Sequence, residues 1–174
     1  MLRRLIRLFR PAVPDSGMSR LYRAVVAQAR LPVFYQTLGV SDTVDGRFDL
    51  LLLHVLLVMR RLPDAARQSL FDLLFLDMDR NLREMGVGDM SVGKRIKPML
   101  EAFYGRAKAY ESALADGAEA LTLALGRNLY RNAIVDAATQ RRMAEYVQSA
   151  VAALDTQPEA ALLSGHVEFA TPNV

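Results

Sequence analysis

The sequence contains no cysteine and only two histidines, His54 and His166. Without cysteine, the chain cannot form a disulfide framework, a thiol nucleophile or a thiolate-ligated metal site, and its composition suits a reducing compartment. The two histidines form neither an HExxH motif nor a close pair, so the pattern does not indicate a zinc enzyme. We therefore expect no bound metal and no cofactor.

The sequence also lacks a sustained alternation of apolar and polar residues, which a half-buried β-strand would show. Apolar residues recur instead at helical spacing, without an internal repeat or a long linker. We predict an all-α fold, a single-domain helical bundle of about seven helices. Phe48 to Leu62 is apolar on nearly all sides and is predicted to be the buried central helix. This run is too short to cross a bilayer, and His54 within it is interpreted as a hydrogen-bonded core residue.

Composition divides the chain into a basic amphipathic arm at residues 1–10, a linker at 11–17, a helical domain at 18–157 and a tail at 158–174. The tail is predicted to be partly extended or disordered after a short helix.

Several residues predict where helices begin and end. Ser19 is expected to cap the first helix, and Pro32 to begin a short second helix. Asp42 or Asp45 is expected to help start the next one. Pro98 removes one amide donor from an otherwise helical pattern, so we predict that it kinks or restarts the helix, with a break near Lys97 favoured over a straight rod.

The arm, MLRRLIRLFR, contains four arginines and no acidic residue. On a helix its apolar residues would lie on one side and its arginines on the other, the former being Leu2, Leu5, Ile6 and Phe9 and the latter Arg3, Arg4, Arg7 and Arg10. This pattern favours binding to an anionic membrane surface, although ten residues fall short of the ~20 needed to span it. A helix docked on the protein's own core and a cleaved mitochondrial presequence remain open alternatives.

Residues 77–97, DMDRNLREMGVGDMSVGKRIK, predict a charged helix, a glycine-containing loop and a basic second helix. Helical spacing places four polar residues on one face of the first helix, namely Asp77, Arg80, Asn81 and Glu84. Gly86 is predicted to end that helix in a left-handed conformation, Gly88 to adopt positive φ, and Ser91 to cap the next helix.

The spacing of Gly88, Gly93 and Lys94 matches the GxxxxGK of a phosphate-binding loop. Arg95, however, occupies the position where magnesium binding requires a Ser or Thr hydroxyl, and the loop follows a helix instead of a strand. We therefore interpret Gly86, Gly88 and Gly93 as a structural loop and expect neither a small-molecule substrate nor a specific nucleic acid as ligand.

Three runs of the sequence, FYQTLGVSDTVDGRFDLLLLHVLLVMRRL, LFDLLFLDMDRNLREMGVGDMSVGKRIK and AFYGR, resemble the ubiquinol–cytochrome c chaperone family. The resemblance covers residues 31–130 and extends more weakly to residue 154. Its motif DMDRNLREMGVGD, followed by SVGK, is specific because it combines length, unusual residue order and a fixed distance to AFYGR.

This resemblance implies a non-enzymatic assembly chaperone that binds newly made cytochrome b and assists assembly of ubiquinol–cytochrome c reductase. A second assembly factor and the ribosome are further candidate partners. The implied location is cytoplasmic, peripheral on the inner face of the bacterial inner membrane, or the matrix side of a mitochondrion. Within this reading we predict a client-binding patch that consists of Asp77, Arg80, Asn81, Glu84, Lys94 and Arg95.

The alternative is a magnesium-dependent hydrolase or transferase that uses Asp77, Asp79 and Glu84. Two positions apart on a helix, Asp77 and Asp79 point about 200° away from each other. Asp77 and Glu84 share a face but stand two turns, ~11 Å, apart. The spacing thus disfavours a shared ion.

Overall fold

The computed structural model describes residues 16–86, 88–131 and 133–172, so the predictions for the arm and for linker residues 11–15 lie outside the described residues. Every regular element in these ranges is helical. The elements are α1 (Gly17–Ala29), α2 (Pro32–Gln36), α3 (Val44–Met59), α4 (Asp64–Glu84), α5 (Asp89–Asp116), α6 (Ala118–Leu125), a π-helical turn (Gly126–Tyr130), α7 (Ala137–Asp155) and α8 (Glu159–Ser164). The predicted all-α, single-domain fold is confirmed.

Helix α3 is buried on almost every side. From Phe48 to Met59 no residue is more than 9% exposed. Helices α1, α4 and α7 and the π-helical turn all contact α3. Because these neighbours cover its whole circumference, a helix without a polar face is stable at this position.

The predicted cap of α1 is wrong by three residues, whereas the prediction for the start of α3 is right for Asp45 but not for Asp42. Ser16, and not Ser19, caps α1. The Ser16 hydroxyl oxygen accepts a hydrogen bond of 3.2 Å from the backbone N–H of Ser19. Gly17, predicted to end the linker, is therefore the first residue of α1. Helix α3 is capped by Thr43, whose Oγ1 accepts from Gly46 N–H at 3.1 Å. Asp45 lies in the first turn, where an acidic residue favours the helix, and Asp42 pairs with Arg47.

The corner between α4 and α5 confirms one predicted glycine role and corrects two. Gly86 has φ +80°, the left-handed stop that was predicted. Gly88 has φ −63° and is the N-cap of α5, which begins before Ser91, so its positive φ and the Ser91 cap were wrong. Gly93 lies inside α5 and not in the loop. The carbonyl of Gly88 accepts from Ser91 N–H at 2.8 Å, which lets the helix start earlier than the side chains indicate.

Pro98 does not break α5, contrary to the prediction. The helix runs from Asp89 to Asp116 with Pro98 inside it. A proline inside a helix loses one backbone hydrogen bond and crowds the preceding turn, at a cost of about 3 kcal/mol, which packing of the long helix against α4 and α6 offsets.

The predicted core role of His54 is confirmed. Its Nδ1 lies 2.8 Å from the Leu50 carbonyl, which can only accept, so Nδ1 carries the proton and Nε2 accepts from Tyr146 Oη at 2.7 Å. Gln28 Nε2 donates to the same hydroxyl at 3.0 Å. Complete burial lowers the pKa of His54 to about 4, so the neutral ring is the native form.

The tail packs against this region after α8. Phe169 lies edge-on to His54, with ring centroids 5.4 Å apart. The Gln157 side-chain amide bonds both backbone groups of Glu168, accepting from its N–H at 2.9 Å and donating to its carbonyl at 2.7 Å. Residues 166–172 thus have no regular secondary structure but pack against the core through Val167 and Phe169.

Candidate functional site

A groove of about 780 Å³ opens between α1, α2, α3, α4 and α5. Its apolar walls include side chains from several of these helices, among them Val26, Phe48, Met78, Leu82, Met85 and Met99. Two apolar side chains at the groove remain in solvent, since Val44 is 63% and Met85 57% exposed. Concave apolar surfaces that stay open are typical binding sites for another molecule.

Met85 is the end of the apolar stripe on α4. The stripe residues Leu74, Met78 and Leu82 are buried, as helical spacing predicts. Met85 follows α4 as its C-cap, so the last position of the stripe leaves the core and joins the groove wall.

The structure brings four of the six predicted patch residues to this groove, namely Asp77, Asn81 and Glu84 from α4 and Lys94 from α5. Arg80 is exposed but does not line the groove. The side chain of Arg95 lies outside the described part of the chain. Gly86 makes this arrangement possible because its positive φ turns the chain so that α5 returns beside α4.

Asp77 also holds the fold together. Its Oδ2 accepts a hydrogen bond of 2.8 Å from Tyr22 Oη, which joins α1 to α4. Burial, and then the neighbouring carboxylate, raise the pKa of Tyr22 well above its usual range. The hydroxyl therefore stays protonated and serves as a permanent donor to Asp77.

Asp79 has a different partner. It is 8% exposed, and its Oδ2 lies 2.7 Å from Arg83 Nε one turn further along α4. Asp77 and Asp79 are thus engaged in separate contacts, as their angular separation predicts. Throughout residues 16–86, 88–131 and 133–172, there is no cluster of three or more His, Asp or Glu side chains that could hold a metal ion.

Three charged side chains at the groove have neither an ion pair nor a side-chain hydrogen bond among the described residues. They are Arg30 at the C-cap of α1, Glu84 at the end of α4 and Lys94 in α5, and the side chains of all three are exposed. The fold does not use these charges, so they remain available to a ligand.

A buried acidic residue lies beneath the groove and was missed by sequence reasoning. Asp49 on α3 is fully buried, and its Oδ1 lies 2.9 Å from Arg106 Nη2 and 2.9 Å from Arg131 Nη2. Arg131 Nε is 2.5 Å from Asp49 Oδ2, although outside hydrogen-bond geometry, and its Nη1 pairs with Asp45 at 3.1 Å. Burial raises the pKa of Asp49, and the two guanidiniums act in the opposite direction.

The π-helical turn positions the two arginines. Arg106 Nε donates to the carbonyl of Asn128 in that turn at 3.2 Å. Arg131 directly follows the turn with φ +53°, a conformation that is uncommon for residues other than glycine. Such π-helical turns and strained residues occur often at functional sites.

Part of this cluster had a signal in the sequence. Asp49 interrupts the apolar run of α3, and Arg106 ends the AFYGR motif. Nothing in the sequence distinguishes Arg131, because its role depends on the π-helical turn and on a backbone conformation that residue preferences do not predict.

The described helices can be compared with the requirements for a membrane-spanning helix. Across the described ranges, each helix falls short of the combination of length and hydropathy that crossing a bilayer requires.

Comparison with known proteins finds relatives that are named as assembly factors of ubiquinol-cytochrome-c reductase. A protein of Xenopus laevis, ubiquinol-cytochrome-c reductase complex assembly factor 1, is 25% identical over 155 residues, which are 85% of this chain and 78% of the relative. Its Mus musculus counterpart is 24% identical over 157 residues, 86% of this chain and 53% of the relative. The chain thus spans about half the length of that mammalian relative.

A solved structure is also similar over nearly its whole length. The crystal structure of the Cbp3 homolog from Brucella abortus matches with a TM-score of 0.80 and 33% sequence identity, covering 98% of this chain and 94% of that one. The model of the family described as ubiquinol-cytochrome C chaperone matches residues 36–169, which include helices α3 to α8, whereas α1 and most of α2 precede the match. The chain belongs to the ubiquinol–cytochrome c chaperone family.

Proposed function

We propose that this chain is a non-catalytic assembly chaperone that binds newly synthesised cytochrome b at the membrane surface and assists assembly of ubiquinol–cytochrome c reductase. Family membership supports the assembly role. The observation that carries the client-binding part is the open groove, where exposed apolar side chains lie beside charges that the fold leaves without partners.

The dimensions of the groove fit a segment of a client chain. Its lining residues on α5 extend from Lys94 to Arg106, about 18 Å at ~1.5 Å per helical residue. Such a length accommodates roughly three turns of a client helix. Covering Val44 and Met85 would remove apolar surface from water, and the neighbouring charges would be desolvated in the complex, where truncating one partner costs about 2–5 kcal/mol.

A chaperone role follows from what the groove would cover. Exposed apolar segments of an incompletely assembled membrane protein are prone to aggregation. Occupation of the groove would shield such a segment until the next subunit or cofactor is added. We propose that the patch residues Asn81, Glu84 and Lys94 contact the polar edge of the client, while Asp77 also maintains the groove wall.

The remaining elements of the proposal concern location and partners. The arginine-rich arm at residues 1–10 would hold the protein at an anionic surface, on the cytoplasmic or matrix side. A second assembly factor and the ribosome are candidate partners there. We assign no catalytic step. Of the three carboxylates of the alternative enzyme reading, Asp77 and Asp79 have separate structural partners, and Glu84 is two helical turns, ~11 Å, from Asp77.

Filling the groove tests the proposal. Ala102 lines the groove, whereas Ala115, on the same helix, is exposed and does not. We expect Ala102→Trp to reduce co-purification of cytochrome b from membranes by about tenfold or more, equal to at least ~1.4 kcal/mol, and Ala115→Trp to leave it unchanged. Wild-type capture by a folded Ala102→Trp protein would refute the groove as the client site.

A further inference from the structure

We propose that the groove selects client segments in which a carboxylate lies beside an apolar run, with Arg30 and Lys94 as the groups that bind this carboxylate. This inference rests on the proposed function and specifies the chemistry of the client segment. It follows from the charges that remain at the groove after the contacts of the fold are counted.

Most charged side chains in the groove wall already have partners in the described structure. These contacts are Arg131 with Asp45 and Asp49, Arg106 with Asp49, Arg47 with Asp42, and Asp77 with Tyr22. The buried pairs cannot be exchanged for a client group without leaving a buried charge unpaired, which is strongly unfavourable. The groove therefore does not offer the buried pairs for recognition, and the charge of the exposed Arg47 is already balanced by Asp42.

Two cations and one anion remain that are exposed and have no partner, namely Arg30, Lys94 and Glu84. Asp77 keeps its charge, but it is half-buried in the wall and one of its oxygens already accepts from Tyr22. Arg30 belongs to the end of α1 and Lys94 to α5, so the cations come from different walls and a segment between these helices has a cation on either side. A client carboxylate gains a charge-assisted hydrogen bond from either cation. A client lysine has Glu84 as its one exposed, unpartnered anion and is repelled by the two exposed cations, so the balance of exposed charges favours an acidic segment.

The apolar wall supplies the second half of the selection. Val44, Met85 and Met99 line the same groove as the free cations. A purely acidic peptide would leave these side chains in water, and a purely apolar peptide would leave Arg30 and Lys94 unpaired. Only a segment that combines both features matches the groove.

A peptide array tests this inference. Overlapping peptides that cover cytochrome b are immobilised on a cellulose support and probed with the full chain. We expect capture of peptides that contain an apolar run and an adjacent Asp or Glu. Replacing that acid by Gln should reduce capture about fivefold, and replacing it by Lys about tenfold or more. Capture that does not respond to these replacements would overturn the inference.

Charge reversal on the protein provides the complementary test. Arg30→Glu and Lys94→Glu should each lose about tenfold in capture of the acidic peptides and gain capture of the Lys-substituted ones. Lys108→Glu and Arg141→Glu are matched controls, since both residues are exposed, have no ion pair in the described structure and lie outside the groove. Wild-type behaviour of both groove variants would also overturn the inference.

The groove-filling variant separates the two proposals. If Ala102→Trp loses peptide capture while Arg30→Glu and Lys94→Glu retain it, the groove is the client site and the acidic selection is wrong. If all three variants capture peptides at the wild-type level, the proposed function fails as well. Thermal unfolding of each variant ensures that loss of capture is not loss of fold.

Discussion

The Tyr22 hydroxyl donates to the Asp77 carboxylate across the interface of α1 and α4, at 2.8 Å. This bond connects the core of the domain to the first residue of the predicted client-binding patch. Asp77 therefore has a structural function that its exposed neighbours Arg80 and Glu84 do not share.

Tyr22→Phe should destabilise the protein by about 1–3 kcal/mol, because a partly buried carboxylate loses its donor. For a chain of this size, we expect a decrease in Tm of about 2–4 °C per kcal/mol. Tyr104→Phe is the control, as that ring is 60% exposed and its hydroxyl has no hydrogen bond in the described structure. Equal melting temperatures for both variants would show that the Tyr22 contact contributes nothing.

Asp49→Ala should be among the most destabilising single changes, at about 3–5 kcal/mol, because it leaves Arg106 buried without its counter-ion. Arg131→Ala should cost less, since that side chain is 39% exposed and water can replace part of the contact. Urea unfolding measures both, with Arg141→Ala expected within ~0.5 kcal/mol of the wild type. A milder effect of Asp49→Ala than of Arg131→Ala would contradict this ranking.

His54 should make stability depend on pH. Its pKa is about 4 in the folded state and ~6.5 when unfolded, so the unfolded chain binds more protons between these values. The stabilisation is complete above pH ~6.5 and is lost as pH falls towards 4, with about 2 kcal/mol gone at pH ~5.

The free energy of unfolding of wild type and of His54→Gln, each measured from pH 7.5 to 4.5 by urea titration, isolates this contribution. The Gln variant should be less stable at neutral pH but should show a flatter dependence. Parallel curves would mean that protonation of His54 does not oppose folding.

Gly86 and Gly93 should respond in opposite directions to the same substitution. Gly86→Ala is expected to cost about 1–2 kcal/mol because φ is +80°, and the open space around its Cβ position means that no clash contributes. Gly93→Ala should stabilise by roughly 0.5–1 kcal/mol, since Gly93 is helical and its Cβ position is also free. Thermal melts test both, and a stabilising Gly86→Ala would contradict the left-handed cap.

Deleting residues 1–10 should abolish sedimentation with anionic vesicles. Four arginines at such a surface contribute roughly 4 kcal/mol, and this attraction should weaken with added salt. Neutral vesicles are the control. Unchanged sedimentation after the deletion would favour the docked-helix or presequence interpretation of the arm.

Sequence periodicity was sufficient for the fold class and for the core residues of α3, because burial follows the spacing of apolar residues directly. It was also sufficient to predict that Gly86 ends α4 in a left-handed conformation, because a glycine directly after an amphipathic helical run commonly has this role. It failed at Pro98, where tertiary packing outweighs a local preference, and at Ser16 and Thr43, where several polar residues compete to cap one helix.

The candidate site was predictable only in part. Asp77, Asn81, Glu84 and Lys94 were found because two adjacent helices and a short loop bring them together. The groove itself depends on α1, α2 and α3 as well, and these long-range contacts leave no local pattern. Arg131 could not be found, since its backbone conformation is imposed by the surrounding contacts and not by its own sequence neighbourhood.

The walls of the groove come from residues as far apart in the chain as Val26 and Arg131. A nascent chain that has been synthesised only as far as the π-helical turn contains α1 and α4. It still lacks Arg131, so Asp49 has only Arg106 as a partner. The groove, our proposed client site, is therefore completed late, when most of the domain has been synthesised. A destabilised variant should lose client binding in proportion to its unfolded fraction, so that cellular abundance, and not residual affinity, would set how much reductase is assembled.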